Sequence, residues 1–395
     1  MEQTVYEKSL DLHRRHRGKV AIVSKVPLKT KEDLSLAYTP GVAEPCKEIA
    51  KNKKLVYEYT HKGNTVAVVS DGSAVLGLGN IGPEAAMPVM EGKCVLFKAF
   101  AGIDAWPICL ATQDPEEIVM IVSALTPTFG AVNLEDISAP RCFAIESRLQ
   151  NIGIPVMHDD QHGTSIVIMA ALTNALRVVK KKLSTSTVVV NGAGAAGLAL
   201  VRILTGSGEY HGIVTETAKD VTICDTSGII YAGRKENMNP FKEQLAGITN
   251  SAKKTGSLSD AIKGADIFIG LSGPNLVTAE MVKSMAPKAI VFAMANPVPE
   301  IMPDLAKQGG AMVVGTGRSD FPNQVNNVLA YPGVFRGALD AGAPRITALM
   351  KIAALHALAD CVPEPHAEKI LPSPLEKDVA TRVAKAVEEA AKKGL

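Results

Sequence analysis

The sequence predicts an α/β protein of two domains, the second built on a doubly wound sheet of parallel strands. Three observations carry this expectation. Through the second half, strand-like apolar runs alternate with helical stretches, the pattern of an open α/β sheet. One of those runs, Thr187–Asn191 (TVVVN), is apolar without alternation, as in a strand covered on both faces. It leads directly into Gly192-Ala193-Gly194-Ala195-Ala196-Gly197, which opens a helical stretch, AAGLALVRILTG.

Bulk properties set the bounds. With 395 residues, 47% hydrophobic and 21% charged, the chain has room for two domains and a sizeable core. A formal net charge of +2 gives no bias toward nucleic acid or a membrane surface. Aromatic residues at 4% argue against base stacking. The 6 cysteines are scattered without a C-x-x-C pair, so most read as buried thiols of a reducing compartment rather than a zinc knuckle or disulfide framework. The start, MEQTVYEKSLDLHRRHRGK, lacks the apolar core of a signal peptide, and no uninterrupted apolar run reaches transmembrane length. The expectation is a cytoplasmic protein with neither nucleic acid nor membrane as partner.

Along the chain, Tyr6–Arg17 carries apolar positions at helical spacing ahead of any obvious core. Thr65–Ser70 (TVAVVS) and Cys94–Lys98 (CVLFK) read as strands, with a helix over Pro83–Glu91 between them. Asp71–Asn80 (DGSAVLGLGN) is too glycine-rich for a regular element. A short strand, IPVM, runs into Val156–Ser165 (VMHDDQHGTS), and Thr164–Lys182 then reads as a helix whose final lysines suit the negative end of its dipole. The domain boundary is placed on this helix. Residues 1–160 form the first domain, 161–370 the second, and 371–395 close the chain with an amphipathic helix, DVATRVAKAVEEAAKKGL. Further strands are expected at Val221–Cys224, Asp266–Gly270, Ala289–Met294 and Met312–Gly315.

The glycine pattern, placed between strand and helix, predicts a dinucleotide site. Gly192 permits the tight turn, Gly194 lets a pyrophosphate approach the backbone, and Gly197 packs helix on strand. Ala195 and Ala196 open the helix, whose N-terminus receives the phosphates. The plainer alternative is a tight turn without ligand. Asp225, ending the next strand, is placed to bond adenine ribose hydroxyls as in NAD sites. The polar insert SGEYHGIVTETAKD lengthens the usual spacing, and Asp225 would equally well open the turn DTSG. Arg234 and Lys235 follow in the same loop region and would suit the 2′-phosphate of NADP. The strand-end position of Asp225 favours NAD, with NADP as the alternative. Later strands end in Ser272-Gly273, Asn296-Pro297 and Gly315-Thr316-Gly317, small polar groups facing the ligand crevice of such a sheet.

The first half carries acids. Glu135 and Asp136 (AVNLEDIS) follow a short apolar run, and Asp160 lies ahead of the long helix. Three such carboxylates make an all-oxygen set for a hard cation, Mg²⁺ or Mn²⁺. Each also reads as a cap or turn residue that needs no metal. His158 and His162 lack an HExxH context and read as polar packing. Tyr38 sits in a proline–glycine turn, AYTPGVAEP, where no core needs it. Lys93, in MEGKCVLF, reads by default as solvated; desolvated beside a metal, a lysine loses enough basicity to act near neutrality.

Taken in order, YTPGVAEPC (Tyr38–Cys46), SDGSAVLGLGNIGPEAAMPVMEGK (Ser70–Lys93), NLEDI (Asn133–Ile137), HDDQHGT (His158–Thr164), GAGAAG (Gly192–Gly197), ANPVPE (Ala295–Glu300) and NNVLAYPG (Asn326–Gly333) resemble the malic enzymes, oxidative decarboxylases of malate, in their short bacterial form. The resemblance covers most of the chain. It implies an N-terminal α/β substrate domain followed by a Rossmann-like nucleotide-binding domain. It implies conversion of (S)-malate to pyruvate and CO₂ with reduction of NAD(P), dependent on a divalent metal. It makes Tyr38 the general acid and Lys93 the general base. It assigns the metal to Glu135, Asp136 and Asp160, with Asp159 supporting them, and puts Asn296 and Asn326 at the malate or nicotinamide end of the cleft. It also suggests a homodimer or higher homo-oligomer packed through the Tyr6–Arg17 segment. One departure stands out: the large forms carry a carboxylate-binding arginine before the LGLG run, where this chain has Ala74, leaving Ser73 and Asn80 as nearby donors. Two other readings remain open. Another two-domain NAD(P)-dependent dehydrogenase, such as an amino-acid dehydrogenase, would not need three metal carboxylates. A non-catalytic nucleotide-sensing module would lose little on Lys93→Ala.

Overall fold

A computed structural model describes residues 4–75 and 77–394. Leu76 of the glycine-rich loop and Leu395, with which the expected C-terminal helix ends, lie outside the described residues. Three helices come first: α1 (Val5–His16), α2 (Lys31–Ala37) and α3 (Ala43–Lys51). The helical spacing of Tyr6–Arg17 is realised in α1, begun by a reciprocal Thr4–Glu7 capping box. None of the three contains a buried residue, and Val5, Tyr6, Leu10 and Leu36 are exposed.

The first sheet is parallel throughout, in the order β2-β1-β3-β4, from β1 (Thr65–Ser70), β2 (Asp104–Cys109), β3 (Ala131–Leu134) and β4 (Val156–His158). Between β1 and β2 runs α4 (Pro83–Ala101), and here the expected strand at Cys94–Lys98 is corrected: those residues continue a 19-residue helix. Ala86, Met90, Lys93, Cys94 and Phe97 are its buried positions, three or four apart, a helical stripe that a five-residue apolar window read alone does not show. Lys93 thereby lies mid-helix on the buried face. After β3 come α5 (Arg141–Leu149) and α6 (Asp159–Val179). Helix α6 begins on the aspartates rather than at Thr164. It ends before Lys180, a left-handed cap with φ 57°, so the expected lysines fall past the last turn, whose basic residue is Arg177. At 21 residues, with an 18-residue stretch of mean hydropathy 1.3, this helix is long and apolar enough to span a bilayer; Thr173, Asn174 and Arg177 interrupt it, so no uninterrupted apolar run is formed, and 78% of that stretch is buried inside the protein, as befits a core helix.

The second sheet has the order β10-β9-β8-β5-β6-β7. Its strands are β5 (Thr187–Asn191), β6 (Asp220–Asp225), β7 (Gly228–Ile229), β8 (Ile267–Gly270), β9 (Ala289–Ala293) and β10 (Ala311–Thr316), parallel except for β7 on β6. Helix α7 (Ala195–Thr205) follows β5. The chain leaves β5 toward β6 on one side and returns to β8 on the other, so the topological switch lies beside β5 and opens a crevice at the strand C-termini. The insert before β6 is not merely polar: Tyr210 is fully buried and Glu209 pairs with Lys351.

Three helices close the chain, α8 (Tyr331–Asp340), α9 (Ala348–Ala359) and α10 (Val379–Gly394). Helices α8 and α10 cross at Gly333 and Gly337, where a Cβ on Gly337 would lie 2.3 Å from the Ala384 carbonyl oxygen. On its other side α8 packs Tyr331 and Phe335 edge-on against Phe97 of α4, with ring centroids 4.8 and 5.4 Å away. The end of the chain therefore closes on the helix that carries Lys93.

Candidate active site

Strand β3 delivers Glu135, whose N–H donates to the Val69 carbonyl at 2.8 Å. Asp136 follows with φ 54°, in the left-handed region. Two bonds hold it there: its carbonyl accepts from Ala74 N–H at 2.9 Å, and its N–H donates to Asp160 Oδ2 at 2.9 Å. Asp160 sits in the first turn of α6. The expected helix cap is corrected, because the cap position is His158 and Asp160 accepts from the neighbouring loop instead. Glu135, Asp136 and Asp160 each offer a carboxylate oxygen within 4.8 Å of the others. An all-oxygen set of this charge fits a hard divalent cation.

Facing this cluster is Lys93, 7% exposed, with Nζ 2.8 Å from Glu135 Oε1 and 2.7 Å from Asp159 Oδ2. The Tyr331 ring lies 4.2 Å from the same nitrogen. Burial pushes the lysine pKa down, but Asp159 and Glu135 outweigh it and hold the ammonium well above its usual range. The carboxylates bear the complementary strain. Burial lifts Asp159 to about 6 against the pull of Lys93, and does the same for Asp160. Glu135 is raised too, by burial. Asp159, fully buried, lies against the bare Cα of Gly163, where a Cβ would come 1.7 Å from Oδ1.

The remaining expected residues lie at different distances from this centre. Tyr38 ends α2, is 68% exposed, and is not joined to Lys93 by a hydrogen bond. Asn326 caps the short turn Asn327–Leu329 by accepting from Val328 N–H at 2.9 Å. Asn296 is exposed in the loop after β9, and its carbonyl faces Gly77 of the glycine-rich loop. Ser73 is buried and committed: its hydroxyl donates to Asp71 Oδ1 and accepts from Ser138 N–H. Asn80 is bonded both ways to Gln113. The guanidinium beside this loop comes from Arg141, 3.2 Å from the buried Asp71 carboxylate.

One group of residues escaped the sequence reading. Glu146, buried on α5, accepts from His158 N–H at 2.9 Å, from Gln161 Nε2 at 2.9 Å, and pairs with His162 Nε2 at 3.0 Å. Lys351 of α9 lies 3.1 Å from His162 Nδ1 and 3.1 Å from Glu209. Against burial, the His162 and Lys351 charges hold Glu146 down at about 2. The network clamps the first turn of α6 from behind. A signal was present, since Cys142, Ile145, Glu146 and Leu149 are the buried positions of α5 and put an acid on an apolar stripe. His158 and His162 are both buried, and burial lowers the His158 pKa.

At the nucleotide end the glycines divide as their motif requires. A Cβ on Gly197 would lie 1.9 Å from the Gly192 carbonyl, and one on Gly192 would lie 2.4 Å from that of Leu271, while Gly194 has nothing within 4 Å and leaves its backbone open to a phosphate. Ala195 and Ala196 begin α7. A cleft of about 1240 Å³ runs from Asn191 and Gly192 past Asp225 to Arg234 and Lys242. Arg234 does not stay beyond the turn as its spacing suggests. It folds back to grip both oxygens of Asp225, and Lys242 Nζ adds a contact at 2.7 Å. Asp225 also accepts from Ser227 N–H at 2.9 Å, so it opens the turn as well.

The family profile of the malic enzyme N-terminal domain matches residues 17–150, and that of the malic enzyme NAD binding domain matches residues 161–392. The chain is 57% identical to the bifunctional malic/malolactic enzyme of Bacillus subtilis over 98% of its own length and 92% of the relative's. It is 53% identical to the NAD-dependent malic enzyme of Geobacillus stearothermophilus, over 95% and 77%. With the NADP-dependent malic enzyme of Escherichia coli identity is 47%, over 99% of this chain and 53% of the relative. Among solved structures, the malic enzyme from Pyrococcus horikoshii superposes with a TM-score of 0.92 at 49% identity, covering 99% of this chain and 91% of that one. The NAD-dependent malic enzyme from Thermotoga maritima gives 0.90 at 48%, over 96% and 98%.

The raised carboxyls predict how the cation-free protein responds to pH. Asp159 and Asp160 ionise near 3.8 when unfolded and near 6 when folded, so their stabilising contribution is complete below the lower value and lost as pH rises through the upper. Asp160 is the more exposed and contributes less. Glu146 works oppositely, lending stability above about 4.5 that is lost as pH falls toward about 2. The melting temperature without cation should therefore decline between about pH 4 and pH 6, and Mn²⁺ should restore it. Asp160→Asn keeps an acceptor for the Asp136 N–H, so it should fold, flatten part of that decline, and bind Mn²⁺ at least about tenfold more weakly. Calorimetry across pH with Mn²⁺ titration checks both; unchanged Mn²⁺ affinity would remove Asp160 from the cation set.

Proposed function

The chain belongs to the malic enzyme family, and we propose how its own residues divide the work of that activity. The protein converts (S)-malate to pyruvate and CO₂ while reducing NAD(P). The observation that carries our assignment is Lys93, buried between a carboxylate of the cation cluster and Asp159. Glu135, Asp136 and Asp160 would hold a divalent cation. When bound, that cation supplies a Lewis acid for the hydroxy-acid oxygens and a positive charge that loosens the carboxylates' hold on the Lys93 proton. NAD(P) supplies the hydride acceptor. Lys93 takes the malate hydroxyl proton as C2 is oxidised, with Asp159 next in line at 2.7 Å. Tyr38 returns a proton to C3 of enolpyruvate after CO₂ departs. Asn296 and Asn326 hold the malate and nicotinamide end. Gly192, Gly194, Ala195, Ala196 and Gly197 seat the pyrophosphate, and Asp225 the adenosine.

The charges around Asp225 bear on the choice between the two cofactors. Two cations grip the single carboxylate of Asp225, leaving the adenosine end net positive. We assign to it both NAD and NADP, with Arg234 and Lys242 meeting a 2′-phosphate. We also divide the chain into a substrate domain, 1–160, a nucleotide domain, 161–370, and a C-terminal segment, 371–395; the separate parallel sheets support this division. The exposed apolar side chains of α1 and α2 are assigned to a homodimer interface. The cytoplasm is assigned as the site of action, which recovery in a membrane fraction would contradict.

Four measurements test these roles. With Mn²⁺ present, Lys93→Ala should lose malate oxidation by about 10²-fold or more, and Tyr38→Phe should lose pyruvate formation from oxaloacetate by a similar factor. Oxaloacetate decarboxylated at the normal rate by Tyr38→Phe would dismiss Tyr38 as the acid. In steady-state comparison of the two cofactors, Arg234→Gln should lower kcat/KM for NADP by about tenfold and leave NAD within about twofold; equal losses would return the preference to Asp225. Sedimentation at nanomolar concentration should show a dimer, and an active monomer there would refute the interface.

A further inference from the structure

Glu300 ends the ANPVPE stretch and is fully buried, yet no lysine, arginine or histidine lies within ion-pair distance of it among the described residues. Its carboxylate is spent on backbone. Oε1 accepts from Ser272 N–H and Oε2 from Ala295 N–H, each at 3.0 Å. Ser272 stands just past β8 and Ala295 just past β9, so a single side chain ties together two strand ends at the crevice. The tie extends to the strand before the glycine motif, because Asn191 Nδ2 donates to Ser272 Oγ at 2.7 Å. The fold leaves room for this carboxylate: a Cβ on Gly270 would fall 2.4 Å from Glu300 Cδ.

What the tie controls is the residue after Ala295. Asn296 is exposed and sits where two neighbouring positions carry no side chain. A Cβ on Gly77 would come 2.6 Å from its carbonyl oxygen, and one on Gly317 would come 2.7 Å from Nδ2. Arg318 adds a brace, donating from Nη1 to the Pro297 carbonyl at 3.1 Å. Asn296 thus lies against the glycine-rich loop and the end of β10, and is linked to Glu300 through the preceding peptide. A buried acid costs desolvation, and burial does lift the Glu300 carboxyl above its usual range. Two main-chain N–H donors offset that cost and are what an amide or an alkyl group in its place would leave unmatched.

We propose that Glu300 is a positioning residue for the reaction, acting through the Ala295 and Ser272 peptides to hold Asn296 against malate and the nicotinamide end. This rests on the assignment of Asn296 to the substrate end. Glu300→Gln is nearly the same size, but its NH₂ must face one of the two N–H donors, so one tether is lost while the other remains. Gly270→Ala displaces the same carboxylate from the other side and keeps the question open to measurement if Glu300→Gln folds poorly.

The experiment is a double-mutant cycle with Asn296→Ala, read as malate kcat/KM, with Mn²⁺ affinity measured alongside on each variant. Glu300→Gln should lower kcat/KM by about tenfold or more, as a small misplacement of a substrate-contacting group does. Mn²⁺ affinity should stay within about twofold, since the cation carboxylates lie on other elements. In the Asn296→Ala background the same substitution should add less than about twofold. A loss from Glu300→Gln or Gly270→Ala that is equally large with and without Asn296 would overturn the inference and leave the Asn296 assignment standing. An Asn296→Ala variant with unchanged malate kcat/KM would instead overturn that assignment, and the inference with it.

Discussion

The site depends on an imbalance of charge. Glu135, Asp136, Asp159 and Asp160 converge where the C-terminal ends of β3 and β4 meet the start of α6, and Lys93 is the ammonium placed among them. Desolvation raises Glu135, Asp159 and Asp160, and two of those same carboxylates raise Lys93. Carboxylates and lysine therefore hold protons more tightly than they would in water, for opposite electrostatic reasons. A divalent charge entering the cluster relaxes both at once: it stabilises the ionised acids and weakens their grip on the lysine. On the roles proposed above, the features that make this cluster costly are those that would favour a cation and a free base.

Such a site has to be held by something other than its own groups. The backbone of Asp136 lies in a region that non-glycine residues seldom occupy, and it stays there because Ala74 and Asp160 bind its two main-chain groups. Asp159 fits only because Gly163 lacks a side chain. Behind the first turn of α6, Glu146 fixes the His158 N–H and the side chains of Gln161 and His162. The same economy recurs in the second sheet, where Glu300 uses a carboxylate to tie two strand ends rather than to meet a charge. The two buried acids support the two halves of the cleft.

What the sequence disclosed follows from the range of each interaction. The second sheet was legible because TVVVN and its successors are unbroken apolar runs whose strand character does not depend on distant contacts. The grouping of Glu135, Asp136 and Asp160 was legible because the three sit in compact motifs at element ends. Cys94–Lys98 misled because a short apolar run has no period of its own, and its helical phase appears only with Ala86 and Met90 included. Glu146 and Lys351 stayed hidden for another reason. Lys351 meets His162 across 189 residues of sequence, and a lone charge on an apolar stripe does not disclose its partner. The left-handed backbone of Asp136 was likewise invisible, being imposed by the loops on either side.

The two ends of the cleft obey one rule with opposite signs. At the malate end the protein buries more carboxylate than it neutralises, and the deficit matches a cation. At the adenosine end Arg234 and Lys242 exceed Asp225, and the surplus matches a phosphate. Reading Asp225 alone misses this surplus, because the charge of an acid at a strand end counts in full only while it is unopposed. Arg234 opposes it from nine positions later in the chain, by a fork that engages both carboxylate oxygens. A charged residue in such a cleft is therefore interpretable only as part of the local sum, and the sum here is set by side chains that fold back from outside the motif.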